Sequence, residues 1–158
     1  MPDDIAKQAE WIAHETMRVL HGAGVFGIEM FVTSKNKILI NEIAPRVHNS
    51  GHHTLQSSQT SQFEQHLRAI LGLELGDTKL IHATIMYNIL GPDNIHGKYK
   101  MPDIKSENMH LKMYGKTESK PQRKIGHLNL VDVDDSLGVN GLLESLGSIK
   151  DQIKLSSA

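Results

Sequence analysis

The stretch Gly24-Val-Phe-Gly-Ile-Glu-Met-Phe-Val32, the polar turn Thr33–Lys37 and the run Ile38-Leu-Ile-Asn-Glu-Ile43 decide how this chain is built. Apolar and β-branched residues on either side of a short polar turn predict two strands of an antiparallel hairpin. Glu29 interrupts the first strand, and Glu42 follows Ile38-Leu39-Ile40 in the second. A carboxylate inside an apolar strand is costly unless its charge is compensated. Two carboxylates facing each other across a hairpin would repel, and one would keep its proton unless a cation sat between them. Magnesium suits that position, because it takes hard oxygen ligands and binds through one or two carboxylates plus substrate phosphates. The spacing alone leaves open the alternative that both acids are solvent-exposed strand-edge residues.

Outward from the hairpin, apolar residues at helical spacing (Ile5, Ala9, Ile12, Ala13, Thr16, Val19, Leu20) predict a first helix, capped by Asp3 or Asp4 and ended by Gly22 and Gly24. A polar loop from Ala44 to Thr60 leads to a second helix over Ser61–Leu71, closed by Gly72. Strands follow at Leu80–Leu90, Met109–Tyr114 and Ile125–Val133, with a loop from Gly91 to Asn108. A last helix over Val139–Ile149 ends in a polar tail expected to fray. This is an α+β pattern. A composition break near Gly91 divides it into an α/β portion at 1–90 and a smaller antiparallel one at 91–158.

Composition narrows the chemistry. The 158 residues are about one domain's worth of chain. Seventeen Lys and Arg against 18 Asp and Glu leave a formal charge of -1, so no global basic field draws nucleic acid or an anionic membrane. With no Cys there is no disulfide, thiolate nucleophile or cysteine-ligated metal. Apolar runs are too short to span a bilayer, and no signal peptide is visible. A Gly-x-Ser-x-Gly elbow and a P-loop are missing from the sequence, as is a Gly-x-Gly-x-x-Gly turn following a strand.

Two further constellations carry chemistry. In Asn41-Glu-Ile-Ala-Pro-Arg-Val-His-Asn-Ser-Gly-His-His53, Pro45 fixes the backbone leaving the strand and Gly51 permits a tight turn. Arg46 between them can grip a carboxylate, bicarbonate or phosphate through two parallel hydrogen bonds. His48 can move protons near neutral pH. A zinc site on His48, His52 and His53 is the rival reading, although that spacing matches no established metal motif. The second constellation is Tyr114-Gly-Lys116 with Arg123-Lys-Ile-Gly-His127. Its clustered cations can clamp a phosphate or form a solvated turn.

Gly24–Val32, Ile40-Asn-Glu-Ile-Ala-Pro-Arg-Val-His-Asn-Ser-Gly-His52 and Thr60-Ser-Gln-Phe-Glu-Gln-His-Leu-Arg-Ala-Ile70 together resemble the N5-carboxyaminoimidazole ribonucleotide synthetases. These ATP-grasp enzymes form the ATPase component of the phosphoribosylaminoimidazole carboxylase system of purine biosynthesis. The likeness runs from the first helix to about Val133 and includes Tyr114-Gly-Lys116 and Arg123-Lys-Ile-Gly-His127. The formate-dependent glycinamide ribonucleotide transformylases are a sister family and the nearest competitor. They read Ser-Glu-Val-Ser-Pro-Arg-Pro-His-Asp-Thr-Gly-Met over the second motif, whereas Asn41, Ala44, Asn49, Ser50 and His52 side with the carboxyaminoimidazole branch. Ala44 stands where many other ATP-grasp enzymes place a metal-binding Asn, a residue that this branch commonly lacks.

The resemblance implies the C-terminal half of an ATP-grasp domain, antiparallel strands with packed helices, followed by a small antiparallel C-terminal subdomain. It implies that MgATP is used, with Mn2+ as an alternative ion, to activate bicarbonate as carboxyphosphate for transfer to 5-aminoimidazole ribonucleotide. Glu29 and Glu42 are then the metal ligands, and Asn41 joins them at the nucleotide. Arg46, His48 and Asn49 hold bicarbonate and carboxyphosphate, with Arg46, His48 and Lys116 in catalytic roles. Lys116, Arg123 and Lys124 meet the ribonucleotide. The family's complete enzymes are longer, and their N-terminal domain and nucleotide-covering lid have no counterpart here. A partner half in cis or in trans is therefore expected, with a homodimer and a cytoplasmic location as further family-level expectations. Two alternatives stand beside this reading: a non-catalytic remnant or interaction module, and one half of a split enzyme of the sister family.

Overall fold

The computed structural model describes residues 2–101 and 108–157. The chain forms two compact units, one of residues 1–55 with 60–78 and the other of residues 56–59 with 79–158. The boundary therefore falls near residue 78 rather than at 90. The reason is strand pairing: Ala83–Leu90 runs antiparallel to Lys124–Asp132 along its whole length and belongs with it. Helices and purely antiparallel strands make the α+β class expected from the sequence.

The first unit opens with helix α1, Asp3–Leu20. Pro2 occupies its N-cap, and no side chain caps it. Asp3 and Asp4 lie inside the first turn, where their charge favours the helix dipole without capping it. The helix ends at His21, which takes the left-handed conformation with φ 51° expected of Gly22 or Gly24. Strands β1, Gly27–Val32, and β2, Ile38–Ala44, then form the predicted hairpin. The loop after it holds a 3-10 turn at Asn49–His53 and a short helix α2, Thr54–Ser57. Helix α3, Gln62–Ile70, begins at Ser61, whose side chain accepts the Glu64 N–H as an N-cap should. Gly72 follows in the left-handed region, as its position past the helix end requires. Ile5, Ile38 and Ala44 are the buried apolar residues of this unit among those described.

The second unit is built on a three-stranded sheet in the order β3 (Ala83–Leu90), β6 (Lys124–Asp132), β5 (Met109–Met113). The central strand β6 is buried on both faces from Ile125 to Asp132. Its Ile125, Leu128 and Leu130 pack with Ile89 of β3, Ile153, and Leu142 of helix α4, Gly138–Lys150. The carboxylate of Asp132 accepts hydrogen bonds from the backbone N–H groups of Ser136, Leu137 and Gly138 at 3.0, 3.0 and 2.7 Å. The end of a strand thus caps the start of α4, whose own N-cap residue is Leu137. Strand β4, Tyr99–Lys100, pairs with β7, Ser156–Ser157. That pairing and the burial of Ile153 tie down the tail that polar composition marked for fraying. The rest of the expected Gly91–Asn108 loop includes positions 102–107, which lie outside the described residues. Among the described residues no helix is long and apolar enough to cross a membrane.

Candidate active site

The hairpin places its two acids directly opposite each other, and it does so through an irregularity. From the turn, Val32 pairs with Ile38, Phe31 with Leu39 and Met30 with Ile40. Glu29 then pairs with Glu42, so Asn41 is an extra residue in β2. A β-bulge of this kind sets two residues of one strand against one of the other. Without it, Asn41 and Glu42 would point to opposite faces. With it, the Asn41 amide donates to Glu29 Oε2 at 3.1 Å while Glu42 faces the same glutamate. Three polar side chains gather on one rung, and both acids are exposed.

Beyond β2, Arg46 folds back on itself: its N–H donates to the Ala44 carbonyl at 2.8 Å and its Nη1 to the Val47 carbonyl at 3.0 Å. Its guanidinium remains exposed and able to take a bidentate oxyanion. His48 turns towards the acids, with Nε2 at 3.5 Å from Glu29 Oε1. The Ser50 N–H and hydroxyl face His48 Nδ1 at 3.5 and 2.9 Å. A backbone N–H can only donate, so Nδ1 accepts from Ser50, and Nε2 is the ring nitrogen that faces Glu29. The imidazole is largely enclosed, its side chain 17% exposed against 45% for Glu29. Gly27, at the start of β1, explains how it fits: a Cβ there would lie 2.7 Å from His48 Cβ. Asn49 opens the 3-10 turn next to His48.

Glu29, Asn41, Glu42, Arg46, His48 and Asn49 therefore lie in the first unit, around one end of the hairpin. The zinc reading is corrected. Among the described residues no three His, Asp or Glu side chains gather as a metal site. His48 faces Glu29, whereas His52 stacks on Phe63 at 5.5 Å between ring centres and sets its Nδ1 2.9 Å from Gln62 Nε2. His53 is half-buried, and that burial pulls its pKa below the ordinary imidazole value. A two-carboxylate rung without a third protein ligand still fits magnesium, whose remaining positions go to water and phosphate oxygens.

Lys116, Arg123 and Lys124 belong to the second unit. Gly115, with φ 67°, turns the chain out of β5, and the Lys116 carbonyl accepts the Tyr99 hydroxyl at 2.9 Å. Arg123 Nη1 donates to the Glu118 carbonyl at 3.3 Å across the same loop, and Lys124 starts β6. Beneath them His127, 2% exposed, meets the Tyr114 hydroxyl through Nδ1 at 2.9 Å. Burial first, and then the positive charge of Lys112, lower the His127 pKa. Lys112 is its direct partner on β5.

Sequence reasoning missed the residue that holds the His48 turn in place. Gln62, 8% exposed at the start of α3, accepts the His48 N–H at 2.9 Å and donates to the His48 carbonyl at 2.8 Å. Nothing in its local pattern marks it, since a Gln one position after a capping Ser reads as an ordinary first-turn residue. Gly51 was the available clue: a Cβ there would stand 2.6 Å from Gln62 Oε1.

Each of the two units resembles a known domain. Residues 1–63 match the ATP-grasp domain, and residues 84–137 match the phosphoribosylaminoimidazole carboxylase C-terminal domain. The phosphoribosylaminoimidazole carboxylase of Ogataea methanolica is 43% identical over 136 residues, 82% of this chain and 25% of that protein. The crystal structure of N5-carboxyaminoimidazole ribonucleotide synthetase from Thermotoga maritima superposes with a TM-score of 0.87 and 42% identity, covering 100% of this chain and 44% of that one. The Aspergillus clavatus N5-carboxyaminoimidazole synthase, solved with ADP and 5-aminoimidazole ribonucleotide, gives a TM-score of 0.72 at 31% identity over 93% of this chain and 41% of that one. The chain spans about a quarter to a third of the length of the curated relatives it matches. The chain is thus similar, over its first unit, to the ATP-grasp domain and, as a whole, to the C-terminal portion of the N5-carboxyaminoimidazole ribonucleotide synthases.

Proposed function

We propose that this chain supplies the metal- and bicarbonate-handling part of an ATP-dependent ligase that carboxylates 5-aminoimidazole ribonucleotide on its exocyclic amine. The observation that carries the proposal is the bulged rung. Glu29 and Glu42 oppose each other there, His48 lies 3.5 Å from Glu29, and Arg46 follows four residues after Glu42. Relatives in this branch bind ADP and 5-aminoimidazole ribonucleotide, which supports the same substrates here.

In the reaction a bicarbonate oxygen attacks the γ-phosphorus of ATP, the bond to the β-phosphate oxygen breaks, and ADP leaves. The carboxyphosphate formed, or the CO2 it releases, joins the amine as phosphate departs, and the proton lost by the amine passes to that phosphate. Magnesium held between Glu29 and Glu42 would neutralise phosphate charge during the transfer. Arg46 presents a planar fork to bicarbonate and then to carboxyphosphate. His48, held with Nε2 facing Glu29, is the side chain placed to exchange a proton near the bicarbonate oxygens. Asn49 offers its amide next to it. Lys116, Arg123 and Lys124 bind the ribonucleotide, whose phosphate their charges match.

The test is activity in trans. Co-expressed with the N-terminal portion of a synthase of this branch, the chain is expected to release ADP in a bicarbonate- and ribonucleotide-dependent manner. Alone it is expected to release none, because positioning and water exclusion need the remaining walls of the site. Glu42→Gln and Arg46→Ala should each abolish turnover of the pair. Turnover by the chain alone, or full activity in either variant, overturns the proposal. A well-folded but silent pair favours the non-catalytic reading.

A further inference from the structure

We infer that Gln62 is a positioning residue for the bicarbonate site, acting through the backbone of His48. The inference rests on the assignment of His48 proposed above and extends it to a residue that touches no substrate.

The orientation of the Gln62 amide is fixed by its partners. The His48 N–H can only donate and its carbonyl can only accept, so Oε1 must face the first and Nε2 the second. One side chain therefore closes both polar groups of a single peptide residue. The second Nε2 hydrogen points to His52 Nδ1 at 2.9 Å. The Gln62 N–H is held by Thr54 Oγ1 at 2.9 Å, and the Thr54 hydroxyl donates to the Gly51 carbonyl at 2.6 Å. Residues 48, 51, 52 and 54 are thus all referred to the start of α3, and the loop that carries His48 inherits the rigidity of a helix. On the other side, Gly27 brings the β1 backbone against the His48 side chain. His48 is held between the two, which sets the 3.5 Å approach of Nε2 to Glu29. Loss of the clamp frees the His48 backbone and strands a part-buried donor, a change of about 10- to 100-fold for one unsatisfied group.

The same helix carries its own control. Gln65 clamps Gly76 with the identical pair of bonds, Nε2 to the carbonyl at 3.0 Å and the N–H to Oε1 at 2.9 Å, on a loop with no candidate site residue. Gln62→Met and Gln65→Met keep side-chain length and remove one clamp each.

In the chain alone, the His48 amide should exchange with solvent about 10- to 100-fold faster in Gln62→Met and at the parent rate in Gln65→Met. In the pair reconstituted with an N-terminal portion, Gln62→Met should raise the bicarbonate KM by a similar factor and leave the ATP KM unchanged. Gln65→Met should move neither. If Gln62→Met does not fold, Gln62→Glu retains the acceptor and loses the donor, and it should exceed the parent in both measurements by less than about 10-fold. Equal effects of the two Met variants, or an unchanged His48 exchange rate, overturn the inference. Faster exchange with a bicarbonate KM that does not move shows a clamp without a site role and overturns it as well. If the parent pair shows no bicarbonate dependence, the reading of the site fails, and the exchange rates still decide the clamp.

Discussion

Replacing Glu42 by Gln tests the facing of the two carboxylates without touching any other contact. Glu42 is exposed and enters no side-chain hydrogen bond or ion pair found among the described residues, so the substitution removes charge and little else. Directly opposed residues of an antiparallel pair lie about 5 Å apart. Two unit charges at that separation in a water-like medium repel by roughly 0.8 kcal/mol. Screening reduces this to about 0.7 kcal/mol at 10 mM salt and about 0.45 kcal/mol at 150 mM. Removing one charge should therefore slow local opening of the hairpin, read as amide exchange at Met30 and Glu42 by NMR. The expected factors are about threefold at low salt and about twofold at physiological salt. Magnesium should slow the same amides in the parent chain, because a cation between the carboxylates does what neutralisation does, and it should leave Glu42→Gln unaffected. Faster exchange in the variant, or an effect that grows with salt, would refute the facing geometry. So would an equal response of both chains to magnesium.

Three further outcomes follow from packing and burial. Gly27→Ala drives a methyl group to 2.7 Å from His48 Cβ, which Gln62 prevents from retreating, and should cost about 1–3 kcal/mol in urea unfolding. Gly147→Ala lies within α4 with no atom within 4 Å of the new methyl, and should instead stabilise the second unit by about 0.5–1 kcal/mol. His127 has a folded-state pKa below its unfolded value, so the unfolded chain takes up the proton first. Its contribution is fully present above the ordinary imidazole range and is lost as pH falls through that range towards the folded value. The urea midpoint of the second unit should therefore fall on acidification from about pH 7 to pH 5. His127→Gln, which can still accept from Tyr114, should flatten that slope, and an unchanged slope would remove His127 as its source.

Elements with a strong period were legible in the sequence. The hairpin, α3 and the three long strands of the second unit lie within a few residues of where apolar spacing sets them. Glu29 and Glu42 stood out because a charge in an apolar strand breaks the pattern. Their facing was anticipated, but the bulge that brings Asn41 to the same rung was not, since an extra residue adds nothing to the alternation of β2. The unit boundary was misread because composition changes at Gly91, whereas strand pairing commits the chain from Ala83 onwards. His21 in place of a glycine at the end of α1, and Asp132 in place of a local cap on α4, were hidden for a common reason. Both depend on where the chain has already gone in space. Gln62 is the extreme case, because its two partners sit 14 residues upstream.

The bulge also governs how the hairpin behaves towards other strands. A two-stranded sheet has only edges, and these strands carry Phe31, Val32, Leu39 and Ile40 at 44–58% exposure near the turn. A flat apolar edge of that kind recruits foreign strands. At the other end the kink at Asn41 breaks the even row of backbone donors and acceptors, and the paired acids repel a second copy laid alongside. The rung proposed to hold magnesium thus also acts as a gatekeeper against aggregation. Neutralising its carboxylates for chemistry, or by mutation, weakens that protection and leaves the hairpin stickier than it was.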